Sequence, residues 1–231
     1  MIYIVNGMGR SGTHAIANWL TYMCEEYVHI DNLRPHEEKN KDCMNINWTQ
    51  YNPNTCNFIV NLENVPPEIA ARELANWPEY KYILLLRNPF NNIASVYHYY
   101  ISKVGIDEAY KLTYDHIVTW KYLAREFVGD TYYVPAIRCY YDMWFRSSNY
   151  RVYMSRILGL DFNDTGANEI TNVGRSHIQQ EKNPRRLKPF SRFKMFLDDE
   201  AFLSFFDNDI YDLWSRIVGE NKAPYLRAGL S

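Results

Sequence analysis

Gly7-Met8-Gly9-Arg10-Ser11-Gly12-Thr13-His14 follows directly on an apolar run and leads directly into a helical pattern, and that placement gives it a chemistry. A glycine turn at a helix N-terminus exposes amides that have no acceptor within the helix, and the helix dipole favours negative charge beside them. The segment reads as an anion cradle for a phosphorylated nucleotide. Gly7 and Gly12 have the spacing of the P-loop pattern G-x-x-x-x-G-K-[ST], but Thr13 stands where the lysine belongs and His14 where the magnesium-binding hydroxyl belongs. A nucleoside-triphosphate enzyme would thereby lack its metal ligand and its charge on the transferred phosphate. The positive charge lies inside the loop instead, at Arg10, which points to metal-free chemistry.

A second constellation is Leu86-Arg87-Asn88-Pro89-Phe90-Asn91-Asn92-Ile93-Ala94-Ser95. It places an arginine at the end of an apolar run and a serine one to two turns into the next helix, where the pair could grip a second phosphate. With both segments in view, the chain resembles the sulfotransferase family that uses 3′-phosphoadenosine 5′-phosphosulfate (PAPS). That family's first motif, [KR]-S-G-T-[TS], matches Arg10-Ser11-Gly12-Thr13-His14 except at His14. Its second, R-[DN]-P-x-[DN]-x-x-x-S, matches Arg87, Asn88, Pro89, Asn91 and Ser95 at every fixed position. A softer likeness joins Ile137-Arg138-Cys139-Tyr140-Tyr141-Asp142-Met143 and Leu158-Gly159-Leu160 to a family strand ending in Y-E-D-L and the L-G-L after it. Tyr141 replaces the glutamate, so this segment supports the fold and not a site.

The resemblance implies a three-layer α/β/α fold with a central parallel sheet, of the P-loop nucleotide-hydrolase type. It implies PAPS as donor and direct in-line passage of a sulfonate to an acceptor hydroxyl or amine, without a metal. Gly9, Arg10, Ser11, Gly12, Thr13 and His14 would bind the 5′ end, and Arg87 and Ser95 the 3′-phosphate. Arg10 would stabilise the sulfonate and the leaving phosphate. An imidazole at position 14 could donate to phosphate as the usual hydroxyl does, or pack.

Activating an acceptor hydroxyl takes a carboxylate or histidine within hydrogen-bond reach. In relatives this group comes after the second strand of the pattern, which here reads Asn61-Leu62-Glu63-Asn64-Val65-Pro66. Glu63 is the first candidate; Asn64 falls where other relatives carry histidine, and an amide cannot take the proton. His36, Glu37 and Glu38 are the alternative. The family's basic loop over the nucleotide would come from Gly174-Arg175-Ser176 or from Asn183-Pro184-Arg185-Arg186, where Arg185 and Arg186 could fork onto phosphate. The acceptor pocket comes from variable loops, and the position of Glu63 resembles the glycan-modifying branch, so a carbohydrate-like acceptor is expected alongside other small molecules.

The elements that must position these residues read as alternating strands and helices, the pattern of a covered parallel sheet. Strands are expected at residues 2–5, 57–62, 80–86 and 132–139. Helices are expected at residues 13–23, 68–76 behind Pro66 and Pro67, 91–100, 107–128, 150–158 ended by Gly159, and 199–218. Residues 36–57 are polar, rich in Asn and without period, a loop-like composition that predicts an insertion. Residues 161–189 are again polar.

The whole chain of 231 residues fits one domain with a real core. A formal net charge of −2 gives no case for nucleic-acid binding, so any basic site is local. Apolar runs are strand-sized, with no membrane span, and residues 1–20 lack signal-peptide features. The chain therefore reads as cytoplasmic, or as a catalytic part without its targeting segment. Cys24, Cys43, Cys56 and Cys139 lack metal or disulfide spacing and read as free thiols. Two rival functions remain: a P-loop kinase acting on a nucleotide or small molecule, and a non-catalytic adenine-nucleotide binding module.

Overall fold

Ile2–Gly7 (β1) is buried along its whole length, and its alternate side chains enter two different cores. Ile2 and Ile4 face one, Tyr3 and Val5 the other, the period-two signature of a strand with helices on both faces. The structure, a computed structural model, describes residues 1–33, 56–169 and 191–219. Five parallel strands form the sheet in the order β2-β3-β1-β4-β5, with Tyr27–Leu33 as β2, Asn57–Glu63 as β3, Tyr80–Leu86 as β4 and Ala136–Tyr140 as β5.

Thr13–Thr21 (α1) packs on the face of Tyr3 and Val5 through Ile16, Ala17, Trp19 and Leu20. The opposite face is covered by Pro67–Leu74 (α2), Pro89–Val104 (α3) and Ile106–Val128 (α4). Tyr141–Arg146 (α5) and Ser148–Leu158 (α6) return to the α1 side, and the short Glu200–Leu203 (α7) and Asn208–Val218 (α8) join the α3 side. The result is the three-layer α/β/α sandwich with a parallel sheet that the sequence predicts.

Three element expectations need correction. Tyr27–Leu33 is a strand that apolar-run reading passes over, because at the sheet edge only Val28, Ile30 and Leu33 turn inward while Tyr27, His29 and Asp31 stay wet. The last strand occupies Ala136–Tyr140 and hands over at once to α5. The expected helix at residues 199–218 is two helices, since Asp207 accepts the Ile210 amide and starts a new one. The predicted insertion lies outside the described residues up to residue 55. No helix among the described residues is long and apolar enough to cross a membrane.

In this strand order the C-terminal ends of β1, β3 and β4 lie side by side, where a parallel sheet offers a crevice to ligands. Gly7 pairs with Glu63 on one side and Leu85 on the other, so the first glycine of the loop, the candidate base and the approach to Arg87 share one level of the sheet.

Candidate active site

The loop after β1 owes its shape to two left-handed residues, Arg10 at φ 66° and Gly12 at φ 104°. Gly12 caps α1, and any Cβ there would overlap the Tyr141 ring. Gly7 is restricted differently, because a Cβ would stand 2.7 Å from Ser11 Oγ, which is folded beneath the loop. The Ser11 amide closes the turn onto the Met8 carbonyl at 3.0 Å. Helical pairing resumes only with Ala15 and Ile16, both donating to the Gly12 carbonyl. The amides of Gly12, Thr13 and His14 therefore find no backbone acceptor among the described residues, as the first turn of a helix requires.

The two motifs touch. Arg87 Nη1 donates to the Arg10 carbonyl at 2.9 Å, and Asn92 Nδ2 donates to the Gly9 carbonyl at 3.1 Å. From the other side, Asn64, itself left-handed at φ 59°, accepts the Gly9 amide on Oδ1 at 2.8 Å. Gly9 thus shapes the cradle while its own N–H is held by protein. Tyr141 lies under both motifs, with the Arg87 guanidinium 5.2 Å above its ring and Gly12 against its edge. The substitution at the Y-E-D-L-like segment consequently sits at the site, although sequence reading assigns it to the fold.

Three guanidiniums gather here. Arg10 lies 5.6 Å over the Tyr99 ring, and Arg87 is 3% exposed. Arg192, from the 3₁₀ turn Arg192–Phe196, places Nη1 2.6 Å from Ser95 Oγ, and its own amide donates to Asn91 Oδ1 at 2.9 Å. Burial pushes the Arg192 guanidinium down to about 9, and the charges of Arg87 and then Arg10 push the same way. Arg10 is lowered too, by burial first, with Glu63 opposing and Arg87 reinforcing. Guanidiniums keep their protons at neutral pH, so repulsion stored here is relieved by an incoming anion. Nearby, burial raises the pKa of Asp142 while the charge of Arg87 lowers it.

Arg192 is a site residue the sequence reading did not single out. Arg175, Arg185 and Arg186, chosen for that role, lie outside the described residues, as do His36, Glu37 and Glu38. The available signal was Ser191-Arg192-Phe193, a basic residue beside an aromatic one; Phe193 packs 6.4 Å from Phe90 at the start of α3 and fixes the return of the chain.

Glu63 ends β3 beside the loop, with Thr13 Oγ1 donating to its Oε1 at 2.6 Å. His14 Nδ1 lies 3.6 Å from the same oxygen, and His14 Nε2 lies 3.0 Å from Asp31 Oδ2. Both ring nitrogens of His14 therefore face carboxylates, and only its amide faces the cradle. Burial opposes the charged imidazole, yet the Asp31 hydrogen bond and the charges of Glu63 and Asp31 prevail and hold His14 above its ordinary value. His98 and His116 are elsewhere: His116 Nε2 meets the Tyr100 hydroxyl at 2.8 Å, and His98 packs near Phe196. His98 is lowered by burial and by the charges of Arg192 and Arg10, which places it on the margin of the cationic cluster.

This arrangement suits a dianionic nucleotide: a helix-end amide cradle, a buried Ser11 hydroxyl without protein partner among the described residues, and arginines spread from Arg10 to Arg192. No protein-family profile matches the chain, and no curated protein sequence does. Among solved structures the chain is similar to the sulfotransferase domain from the Synechococcus PCC 7002 olefin synthase, with a TM-score of 0.59 over 94% of each chain and 14% sequence identity. At that identity the likeness establishes a shared α/β architecture, the one in which that sulfotransferase domain is built.

Proposed function

We propose that the chain is a sulfotransferase that moves a sulfonate from PAPS to a hydroxyl or amine acceptor. The observation that carries this reading is the convergence of Arg10, Arg87 and Arg192 on an amide cradle whose Thr13 hydroxyl is already given to Glu63. A magnesium-dependent kinase needs a lysine at position 13 for its phosphates and a hydroxyl at position 14 for its metal, and Thr13 and His14 provide neither.

The amides of Gly12, Thr13 and His14 and the Arg10 guanidinium would hold the 5′ end of the donor. Arg87, Ser95 and Arg192 would hold the 3′-phosphate. Glu63 would take the proton of the acceptor, using Oε2, which has no hydrogen-bond partner among the described residues. Arg10 lies where it can neutralise charge growing on the oxygens that separate, the largest usual contribution of a site built for such transfer. A carbohydrate-like acceptor is the favoured class, to be tested with a panel of sugars, phenols and peptides and labelled donor.

Calorimetry decides between this reading and its rivals. The chain should bind 3′,5′-bisphosphoadenosine equally well with and without magnesium. Arg87→Ala should weaken that nucleotide by about 1.5–3 kcal/mol, and its 3′-dephosphorylated analogue much less. Tight ATP binding that requires magnesium, with no response to the bisphosphate, would overturn the proposal. Donor binding with no transfer to any acceptor would leave a nucleotide-binding module.

A further inference from the structure

The end of β2 carries Asp31 to within hydrogen-bond distance of His14, and sequence reading gave neither that strand nor that carboxylate a role. Asp31 is fixed on its other oxygen. Asn61, fully buried on β3, donates Nδ2 to Asp31 Oδ1 at 3.1 Å and lies 3.3 Å from His29 Nε2. An amide nitrogen can only donate, so His29 Nε2 is the acceptor and His29 is neutral with its proton on Nδ1. The reverse Asn61 orientation would set its carbonyl against the Asp31 carboxylate.

The polar chain thus runs His29, Asn61, Asp31, His14, Glu63, Thr13 across the ends of β2, β3 and the P-loop. Asp31 keeps the His14 ring turned so that Nδ1 addresses Glu63 Oε1, where the Thr13 hydroxyl also donates. The Thr13 hydroxyl hydrogen-bonds Oε1 of Glu63 and His14 Nδ1 stands at ion-pair distance from the same oxygen, while the Glu63 side chain is 13% exposed.

We propose that Asp31 is a positioning residue for the transfer reaction: it holds His14 as a clamp beside Oε1 of Glu63, so that the carboxylate is fixed and presents Oε2 to the acceptor. This rests on the sulfonate-transfer reading of the site. In the step so organised, the acceptor O–H bond breaks and its proton passes to Glu63. The acceptor oxygen's electron pair forms the new O–S bond, and the old S–O bond breaks with its pair going to the nucleotide phosphate beside Arg10. The groups that face His14 are consistent with a clamp. Asp31 from β2 and Glu63 from β3 favour its charge, Arg10 opposes it, and His29 is neutral. The contact also holds Asp31 down at about 2, chiefly through the His14 hydrogen bond.

Two readouts on the full chain test this, with Asp31→Asn and Glu63→Gln as near-isosteric changes. The first is the His14 titration by NMR, assigned with His14→Gln. Its pKa should fall by about one unit in Asp31→Asn and by a smaller amount in Glu63→Gln. An unchanged His14 titration in Asp31→Asn would overturn the clamp. The second is the pH profile of sulfonate transfer. The alkaline limb of kcat/KM should move to lower pH in Asp31→Asn, alongside the His14 titration, because the clamp is lost when His14 gives up its proton. Affinity for 3′,5′-bisphosphoadenosine should stay within about twofold, and Asp31→Glu should recover part of the profile. A parallel loss of nucleotide affinity with an unmoved profile would make Asp31 merely structural and overturn the proposal. A wild-type chain that binds nucleotide but transfers nothing would sink the reading of the site, and the role of Asp31 with it, while the NMR titration reports the clamp by itself.

Discussion

Arg192 shows how one residue completes a site from far along the chain. Its guanidinium reaches Ser95 on α3, 97 positions earlier, and its amide is pinned by Asn91 of the second motif. Replacing it by alanine should weaken 3′,5′-bisphosphoadenosine by about 1.5–3 kcal/mol, roughly tenfold or more. Arg192→Lys should recover only part, because an ammonium lacks the planar fork that can hold Ser95 and a phosphate oxygen together. Calorimetry on both variants checks this, and affinity equal to the wild type would remove Arg192 from the site. Such a residue is hard to read from sequence, since its partners are set by a tertiary return and no spacing encodes it. Arg10, Arg87 and Ser95 are legible because each lies within ten residues of the glycines or proline that shape its surroundings. Asp31 is illegible for another reason: at a wet sheet edge a functional carboxylate and an ordinary solvated one look alike.

The elements matter through their ends. β1, β3 and β4 finish at one level, and each hands the chain to a different device: a left-handed loop, a carboxylate with a left-handed asparagine, and an arginine before a proline-started helix. Gly12 carries the sharpest constraint, and a comparison within the chain isolates it. Gly12 and Gly129 both hold left-handed backbone, at φ 104° and 90°, but a Cβ on Gly129 meets only the end of the Arg138 side chain at 3.4 Å. Gly129→Ala should therefore cost about 1–2 kcal/mol for backbone strain alone. Gly12→Ala should cost about 1–3 kcal/mol more, for displacement of the buried Tyr141 ring. Denaturant melts of the two variants measure the difference; equal losses would mean that the ring gives way freely. The strand–helix alternation that positions these devices was legible from apolar runs, which long central strands display plainly. β2 and the break between α7 and α8 were not, because an edge strand is half polar and a helix start rests on a single aspartate cap.

At the scale of the molecule, a chain of formal net charge −2 concentrates three buried or half-buried arginines in one crevice. The charges of Arg87 and Arg10 press against that of Arg192, so binding of a multiply charged anion should stabilise the whole protein. At a hundredfold excess over its Kd, 3′,5′-bisphosphoadenosine should add about 2.7 kcal/mol, a rise of roughly 5–10 °C in melting temperature. Adenosine 5′-monophosphate at the same concentration should give much less, and the gap should narrow as salt is added. Equal shifts from both nucleotides would show that the second half of the cluster recognises no phosphate.

The bracing of the loop has a kinetic side. Its carbonyls at Gly9 and Arg10 are held by Asn92 and Arg87, and the Gly9 amide by Asn64. A cradle in that state has little backbone freedom left for a ligand to freeze, so its capture of an anion resembles docking onto a rigid surface more than the closing of a hand. Encounter then depends on how fast charge is steered to the crevice, and on the proposed function any discrimination between nucleotides would fall on how long each one stays.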